Sequence, residues 1–161
     1  MHLNLMEPEE AQEVRELMVY EEGTAGALMT TEFIALSPEI TAAEAISQLR
    51  QLATEAETIY YLYILTEDET IQGVVSLREL LISEPQTKLQ EIMQTRVTLV
   101  YPQDNHDRVA DLLNKYSLLA IPVVDEDSKM LGIITVDDVL EILIPDRSSL
   151  ETFANFLVSK R

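Results

Sequence analysis

Two stretches of the chain read alike: "GVVSLRELLI" over 73–82 and "GIITVDDVLEIL" over 132–143. Each runs glycine, two β-branched residues, a hydroxyl, two further residues, a carboxylate, and then apolar positions at helical spacing. Such a run specifies a strand that passes directly into a capped helix. The hydroxyl of Ser76 or Thr135 accepts from a backbone N–H one turn on, and Glu79 or Asp138 accepts from the N–H of the capping residue itself. The two occurrences lie 132 − 73 = 59 residues apart.

Working outward, the similarity continues. "ALMTTEFIALSPEITAAEAISQL" (27–49) aligns with "EIMQTRVTLVYPQDNHDRVADLL" (91–113), Met29 on Met93 and Pro38 on Pro102, at an offset of 93 − 29 = 64. The first copy therefore carries 64 − 59 = 5 extra residues, near "TEAETIYY" (54–61). Self-similarity on this scale marks a duplicated supersecondary unit.

Each copy predicts the same elements. A short β-branched or apolar run, "FIAL" (33–36) or "VTLV" (97–100), ends at Pro38 or Pro102, since proline cannot continue a ladder. An amphipathic helix follows. In the first copy Thr41 and Glu44 form its capping box, with Ala45, Ile46, Leu49 and Leu52 on one face. In the second, Asn105 is the cap and Val109, Leu112 and Leu113 are the buried face. Two strands come next, "YLYIL" with "IQGVV" and "IPVV" with "KMLGII", joined by the acidic turns "TEDET" and "DEDS". The capped helix closes the unit. The predicted order is strand-helix-strand-strand-helix, twice over: an α/β (α+β) fold. Flanking it, "EPEEAQEVRELMVYEE" (7–22) predicts an acidic amphipathic helix, and "SSLETFANFLVSKR" (148–161) predicts a second helix capped by Ser148 and Glu151.

Composition narrows the function. At 161 residues and 47% hydrophobic, with four glycines and six prolines, the chain is expected to be globular, as one domain or two small ones. The absence of cysteine removes disulfides and thiolate metal sites, and two histidines, His2 and His106, are too few for a histidine-built centre. No signal peptide or long apolar run is present, so this chain by itself is not expected to span a membrane. Eleven basic residues against 29 acidic ones give a net charge of −18, which argues against nucleic acid as a partner. The same excess costs stability by self-repulsion unless it is offset, and divalent cations such as Mg²⁺ take oxygen ligands without help from Cys or His. No nucleophile–base pair or Gly-rich phosphate loop is visible, so an enzyme is not expected.

With both G-h-h-[ST]-x-x-[DE] stretches and the repeat around them in view, residues 24–144 resemble a CBS-domain pair, the Bateman module. More narrowly, "YEEGTAGALMT" (20–30), "ETIYYLYIL" (57–65), "SLRELL" (76–81) and "IPVVDEDSKMLGIITVDDVLEIL" (121–143) resemble the cytosolic part of MgtE-type magnesium transporters. That resemblance implies an organisation: 1–23 as the tail of an acidic N domain, 24–86 as the first CBS domain, 87–146 as the second, and 147–161 as the start of a connecting helix. It also implies a homodimer formed through the CBS domains, a missing N domain and transmembrane domain as partners, and a place on the cytoplasmic face of the membrane. In that family Mg²⁺ held between these parts keeps the pore shut, and some members bind ATP. A rival reading is an adenine-nucleotide-sensing CBS module of another protein.

Candidate residues follow from both sources. Asp138 and Glu141 are three apart on one helical face, where neighbouring carboxylates repel unless solvated or bridged by a cation. By the resemblance they fall on Mg²⁺-coordinating positions, Asp146 falls on a third, and Asp107 falls near another. Asn105 and Ser117 stand where family members carry aspartate, which removes ligand charge. Arg78 sits at a helix N-terminus, where the dipole disfavours a cation, so either a phosphate or a salt bridge is its expected partner. By the resemblance, Ser76 and Glu79 hold ribose and Tyr61 lies against a base. Leu118 offers no ring for stacking, and Glu79 replaces the usual aspartate. Tyr60, Tyr61 and Tyr63 also fit strand core and dimer surface, and His106 reads as a surface residue at a helix start.

Overall fold

The computed structural model describes residues 20–54, 56 and 58–143. Most of the expected first flanking helix, all of the second, and Asp146 lie outside the described residues. In chain order the elements are α1 (Ala25–Leu28), β1 (Ala35–Leu36), α2 (Ala42–Leu52), β2 (Tyr61–Leu65), β3 (Ile71–Ser76), α3 (Leu77–Ile82), α4 (Leu89–Ile92), α5 (His106–Lys115), β4 (Ala120–Val124), β5 (Met130–Thr135) and α6 (Val136–Leu143). No helix among the described residues is long and apolar enough to cross a membrane.

The repeat appears as two small sheets. In the first, β1 runs parallel to β2, with Ala35 opposite Tyr63, and β2 runs antiparallel to β3, with Tyr61 opposite Ser76. In the second, β4 and β5 pair antiparallel with Ala120 opposite Thr135, and Val100 alone bridges Val123 in parallel. The leading strands are thus shorter than the four-residue runs predicted for them, because only the residues nearest Pro38 and Pro102 reach a ladder partner. Both hairpin turns place a non-glycine residue at positive φ, Glu69 at 69° and Ser128 at 64°. Local side-chain bonds hold these turns: Asp125 Oδ1 accepts from the N–H groups of Asp127 and Lys129, both at 2.9 Å, and Thr66 Oγ1 accepts from Thr70 N at 3.1 Å.

The helix caps form largely as the sequence specifies. Asn105 Oδ1 accepts from Asp107 N at 2.7 Å, and Ser76 with Glu79 makes a complete capping box. At Thr41 half of the box is made: Glu44 N donates to Thr41 Oγ1, while the carboxylate takes the threonine hydroxyl instead of the backbone N–H. Ala42, Ala45 and Leu49 are buried along α2, but Leu52 at its end is exposed. On α5 the buried positions are Val109 and Leu113.

Packing does not follow chain order. Ala25 and Met29 precede the first copy's strands, yet they are buried with Val100, Val109, Leu113, Ile121 and Ile134 of the second. Reciprocally, Leu89 of α4 is buried with Ile34, Leu36, Leu62 and Leu80 of the first. Each leading segment is stitched to the other copy's last strand by a pair of backbone bonds. Thr30 and Ile133 exchange N–H···O bonds of 2.8 and 2.9 Å, and Gln94 and Val74 exchange bonds of 2.9 and 3.0 Å. This crossing explains the two repeat glycines. A Cβ on Gly132 would stand 2.6 Å from Thr30 O, and one on Gly73 would stand 2.8 Å from Gln94 O. A third cluster, Tyr63, Met130 and Ile133 with Phe33, Tyr61 and Val74 around them, fills the space between the copies.

Candidate functional site

Where β2 faces the second copy a cleft of about 230 Å³ opens. Alternation along β2 sends Tyr61 and Tyr63 to the same face of the strand, and both line this cleft. Ser76 and Glu79 at the β3–α3 junction line it too, as do Gln94, Arg96, Val97, Thr98, Leu118 and Pro122. Three of the four residues suggested for nucleotide binding therefore share one cavity: Tyr61, Ser76 and Glu79.

The fourth stands beside them. Arg78 is exposed and does not line this cleft, but it borders an adjoining outer apolar surface with Leu81, Ile82 and Leu119 that Tyr61 and Ser76 also line. Among the described residues it makes no ion pair, so the expected salt bridge is not formed. The reason lies in helix geometry. Ser76 and Glu79, three apart, share the face turned to the cleft, whereas Arg78 follows about 100° of helical rotation away from each neighbour. Arg96 is the cation that lines the cleft, and sequence reasoning missed it. Its only signal is an asymmetry of the repeat: 96 − 64 = 32, and position 32 holds glutamate.

The cap leaves chemistry unspent. Ser76 N donates to Glu79 Oε1 at 3.1 Å, and Glu79 N donates to Ser76 Oγ at 3.1 Å. The serine O–H and the second glutamate oxygen have no partner among the described residues, which leaves a donor and an anionic acceptor for a ligand bearing hydroxyls. Tyr61 Oη accepts from Leu119 N at 3.2 Å, tying the two copies across the cleft. Leu118 reaches the cleft through a Schellman turn. Its N–H bonds Leu113 O at 2.9 Å while Ser117, at φ 51°, bonds Asn114 O. Tyr63 is 1% exposed, and its hydroxyl has no hydrogen-bond partner. Burial pushes the ionisation of that phenol well above its ordinary value, and the neighbouring Tyr61 adds to the shift.

The acidic candidates sit elsewhere. Asp138 is half-buried in the first turn of α6, with Oδ2 accepting from Thr135 Oγ1 at 2.8 Å and from Thr135 N at 3.3 Å. Glu141 is exposed one turn further on the same face, and Asp138 Oδ1 stays free among the described residues. Asp107 is exposed at the start of α5, which packs against α6, and its carboxylate lies 3.4 Å from His106 Nε2. His106 is less superficial than expected. Its Nδ1 is buried without a partner, because the Gly23–Thr24 segment lies over it. Among the described residues no three His, Asp or Glu side chains converge on one point. The Asp138/Glu141 pair nonetheless fits Mg²⁺, which keeps several waters and works with one or two carboxylates.

Comparison with known proteins bears on both regions. The chain matches the family described as CBS domain over residues 25–84 and 89–145. It is similar to the magnesium transporter MgtE of Thermus thermophilus, 42% identical over 140 residues, which is 87% of this chain and 31% of the transporter. MgtE of Bacillus subtilis is 37% identical over 157 residues, covering 98% of this chain and 34% of its own length. The chain thus spans about a third of the curated relatives it matches. Among solved structures, the cytosolic domain of the Mg²⁺ channel MgtE in complex with ATP superposes with a TM-score of 0.80 at 41% identity, covering 87% of this chain and 56% of that one. The soluble part of a magnesium transporter superposes at 0.81, also 41% identical, covering 88% of this chain and 56% of that one. These relatives are transporters and not enzymes.

Proposed function

Because the chain belongs to the CBS-domain family, we propose that it is the regulatory CBS pair of an MgtE-type magnesium transporter, sensing Mg²⁺ through its acidic surface. On this reading it sits at the cytoplasmic face of a membrane, pairs with a second copy through its CBS domains, and acts on a membrane domain lying beyond this sequence. The observation that carries it is uncompensated charge. The net charge is −18 with histidine neutral, and among the described residues just one Lys or Arg pairs with a carboxylate, Arg108 with Asp104 at 3.8 Å. Mg²⁺ supplies the missing positive charge, held by Asp138 and Glu141, with Asp107 and Asp146 as further candidate ligands. A cation that binds the compact arrangement more tightly shifts the population toward it, by no more than its differential affinity.

Melting the purified chain across a millimolar Mg²⁺ titration, against NaCl at matched ionic strength, tests this. The expected result is a melting temperature that rises with Mg²⁺ beyond the salt control, and a blunted rise in the Asp138→Asn/Glu141→Gln variant. Coincident Mg²⁺ and salt curves would remove the sensing role.

A second reading is favoured by the cleft itself. Tyr61, Ser76 and Glu79 line one cavity, and the MgtE cytosolic domain that this chain resembles was solved in complex with ATP. An adenine nucleotide bound there would add a second input to the same regulatory domain. Titrating the chain with ATP by calorimetry tests it, with heat and a single transition expected.

A further inference from the structure

We propose that Met93 is a peroxide-sensitive modification site: oxidation of its thioether to the sulfoxide releases the clasp that the segment after α4 makes on β3. This is independent of the Mg²⁺ and nucleotide readings above.

The clasp is built twice and shielded once. Met29 and Met93 hold equivalent places in the repeat, each just before the residue that bonds across to the other copy's last strand. Each lays its sulfur against the glycine of that strand. A Cβ on Gly73 would stand 2.7 Å from Met93 Sδ, and one on Gly132 would stand 3.0 Å from Met29 Sδ. The two differ in access. Met29 is 6% exposed within the second core, whereas Met93 is only partly buried against the first. Met130, filling the space between the copies, is also 6% exposed. Of the three methionines among the described residues, Met93 is thus the one that solvent reaches. The sequence holds no cysteine, so an oxidant meets no thiol that would react first.

Hydrogen peroxide supplies the oxidant. A sulfur lone pair attacks one peroxide oxygen, and the S–O bond forms as the O–O bond breaks. The departing hydroxide takes the proton left on the transferred oxygen and goes as water. Sulfur gives up two electrons and the peroxide accepts them. A polar, chiral group now stands where an apolar side chain lay. On the strand side there is no room for it, since Gly73 is already the smallest residue and Met93 rests on it. Either the oxygen turns outward or the side chain leaves its seat, and both movements pull on Gln94, the next residue. Gln94 and Val74 exchange the two bonds that hold this segment to β3. Met93 N also closes α4 on Leu89 O at 2.9 Å, and Leu89 is fully buried in the first core. Oxidation therefore loosens the first core through α4 and leaves the Thr30–Ile133 clasp closed. Methionine sulfoxide reductases restore the thioether, so the change is reversible.

Peroxide treatment of the whole chain, followed by peptide mass mapping, amide hydrogen exchange and melting, tests the proposal. Met93 should oxidise about tenfold faster than Met29 or Met130. Exchange should quicken about tenfold at Val74 and Gln94 and stay level at Thr30 and Ile133, while the melting temperature falls by about 5 °C. Met93→Leu, a swap of similar volume, should lose both responses, and Met29→Leu should keep them. Treating the oxidised wild type with reductases for the two sulfoxide epimers should return both values. Met29 or Met130 oxidising as fast as Met93 overturns the selective access. A response undiminished in Met93→Leu, or oxidation of Met93 that leaves exchange at Val74 and Gln94 unchanged, overturns the clasp.

Discussion

The two copies share a backbone plan and differ where chemistry is done. Both pass from a strand through glycine into a helix whose first turn is closed by a hydroxyl and a carboxylate. After the cap they part. The first copy continues with Arg78 and a cleft walled by Tyr61 and Tyr63, while the second continues with Asp137 and the acidic face of Asp138 and Glu141. The difference teaches that duplication supplied the scaffold and divergence at a few exposed positions supplied the roles. On the functions proposed above, the first copy takes an organic anion and the second a cation.

The sharpest break should come at the repeat glycines. Gly132→Ala places a methyl 2.6 Å from a backbone carbonyl of the crossing segment, so it should destabilise by about 3 kcal/mol, measured by urea unfolding. Gly73→Ala meets the Met93 thioether at 2.7 Å as well as the Gln94 carbonyl at 2.8 Å. Its obstacle is partly a flexible side chain, and its cost should be smaller. Next come the caps. Thr135 Oγ1 both accepts from Asp138 N and donates to its carboxylate, and it is 6% exposed. Thr135→Ala should therefore cost about 2 kcal/mol against about 1 kcal/mol for Ser76→Ala. Equal losses in thermal melts would show the two caps to be interchangeable. The smallest effect is a gain: Ser117 holds the left-handed C′ position of the α5 Schellman turn at φ 51°, and Ser117→Gly should stabilise by about 1 kcal/mol, read as a higher urea midpoint.

Much of the fold was legible because local rules agreed. Caps at Thr41, Ser76 and Asn105, prolines at 38 and 102, and alternation in the strand pairs all point to the same elements. The exchange of leading segments was not legible. Aligning Met29 with Met93 establishes their equivalence, but the same alignment holds whether each methionine packs at home or in its partner copy. Within the candidate site, Ser76 and Glu79 were readable from spacing. Arg96 was not, since an isolated arginine between Thr95 and Val97 carries no periodic signal and gains meaning only when the crossing segment brings it to β2. Arg78 is set apart by helical rotation: it misses the cleft that Ser76 and Glu79 line, and shares with Ser76 and Tyr61 the adjoining outer surface.

The crossed segments have a kinetic consequence. As the chain leaves the ribosome, the first core is completed once Leu89 and Gln94 have emerged, through contacts reaching back a few dozen residues. The second core waits longer, because Thr30 must find Ile133, a closure over 133 − 30 = 103 residues. Loop-closure entropy rises slowly with length but must be met before the contact repays it. Folding should therefore proceed in an order, first half then second. A chain cut between the copies would leave each half lacking a piece of its own interior, so the pair and not the single repeat is the smallest unit that folds.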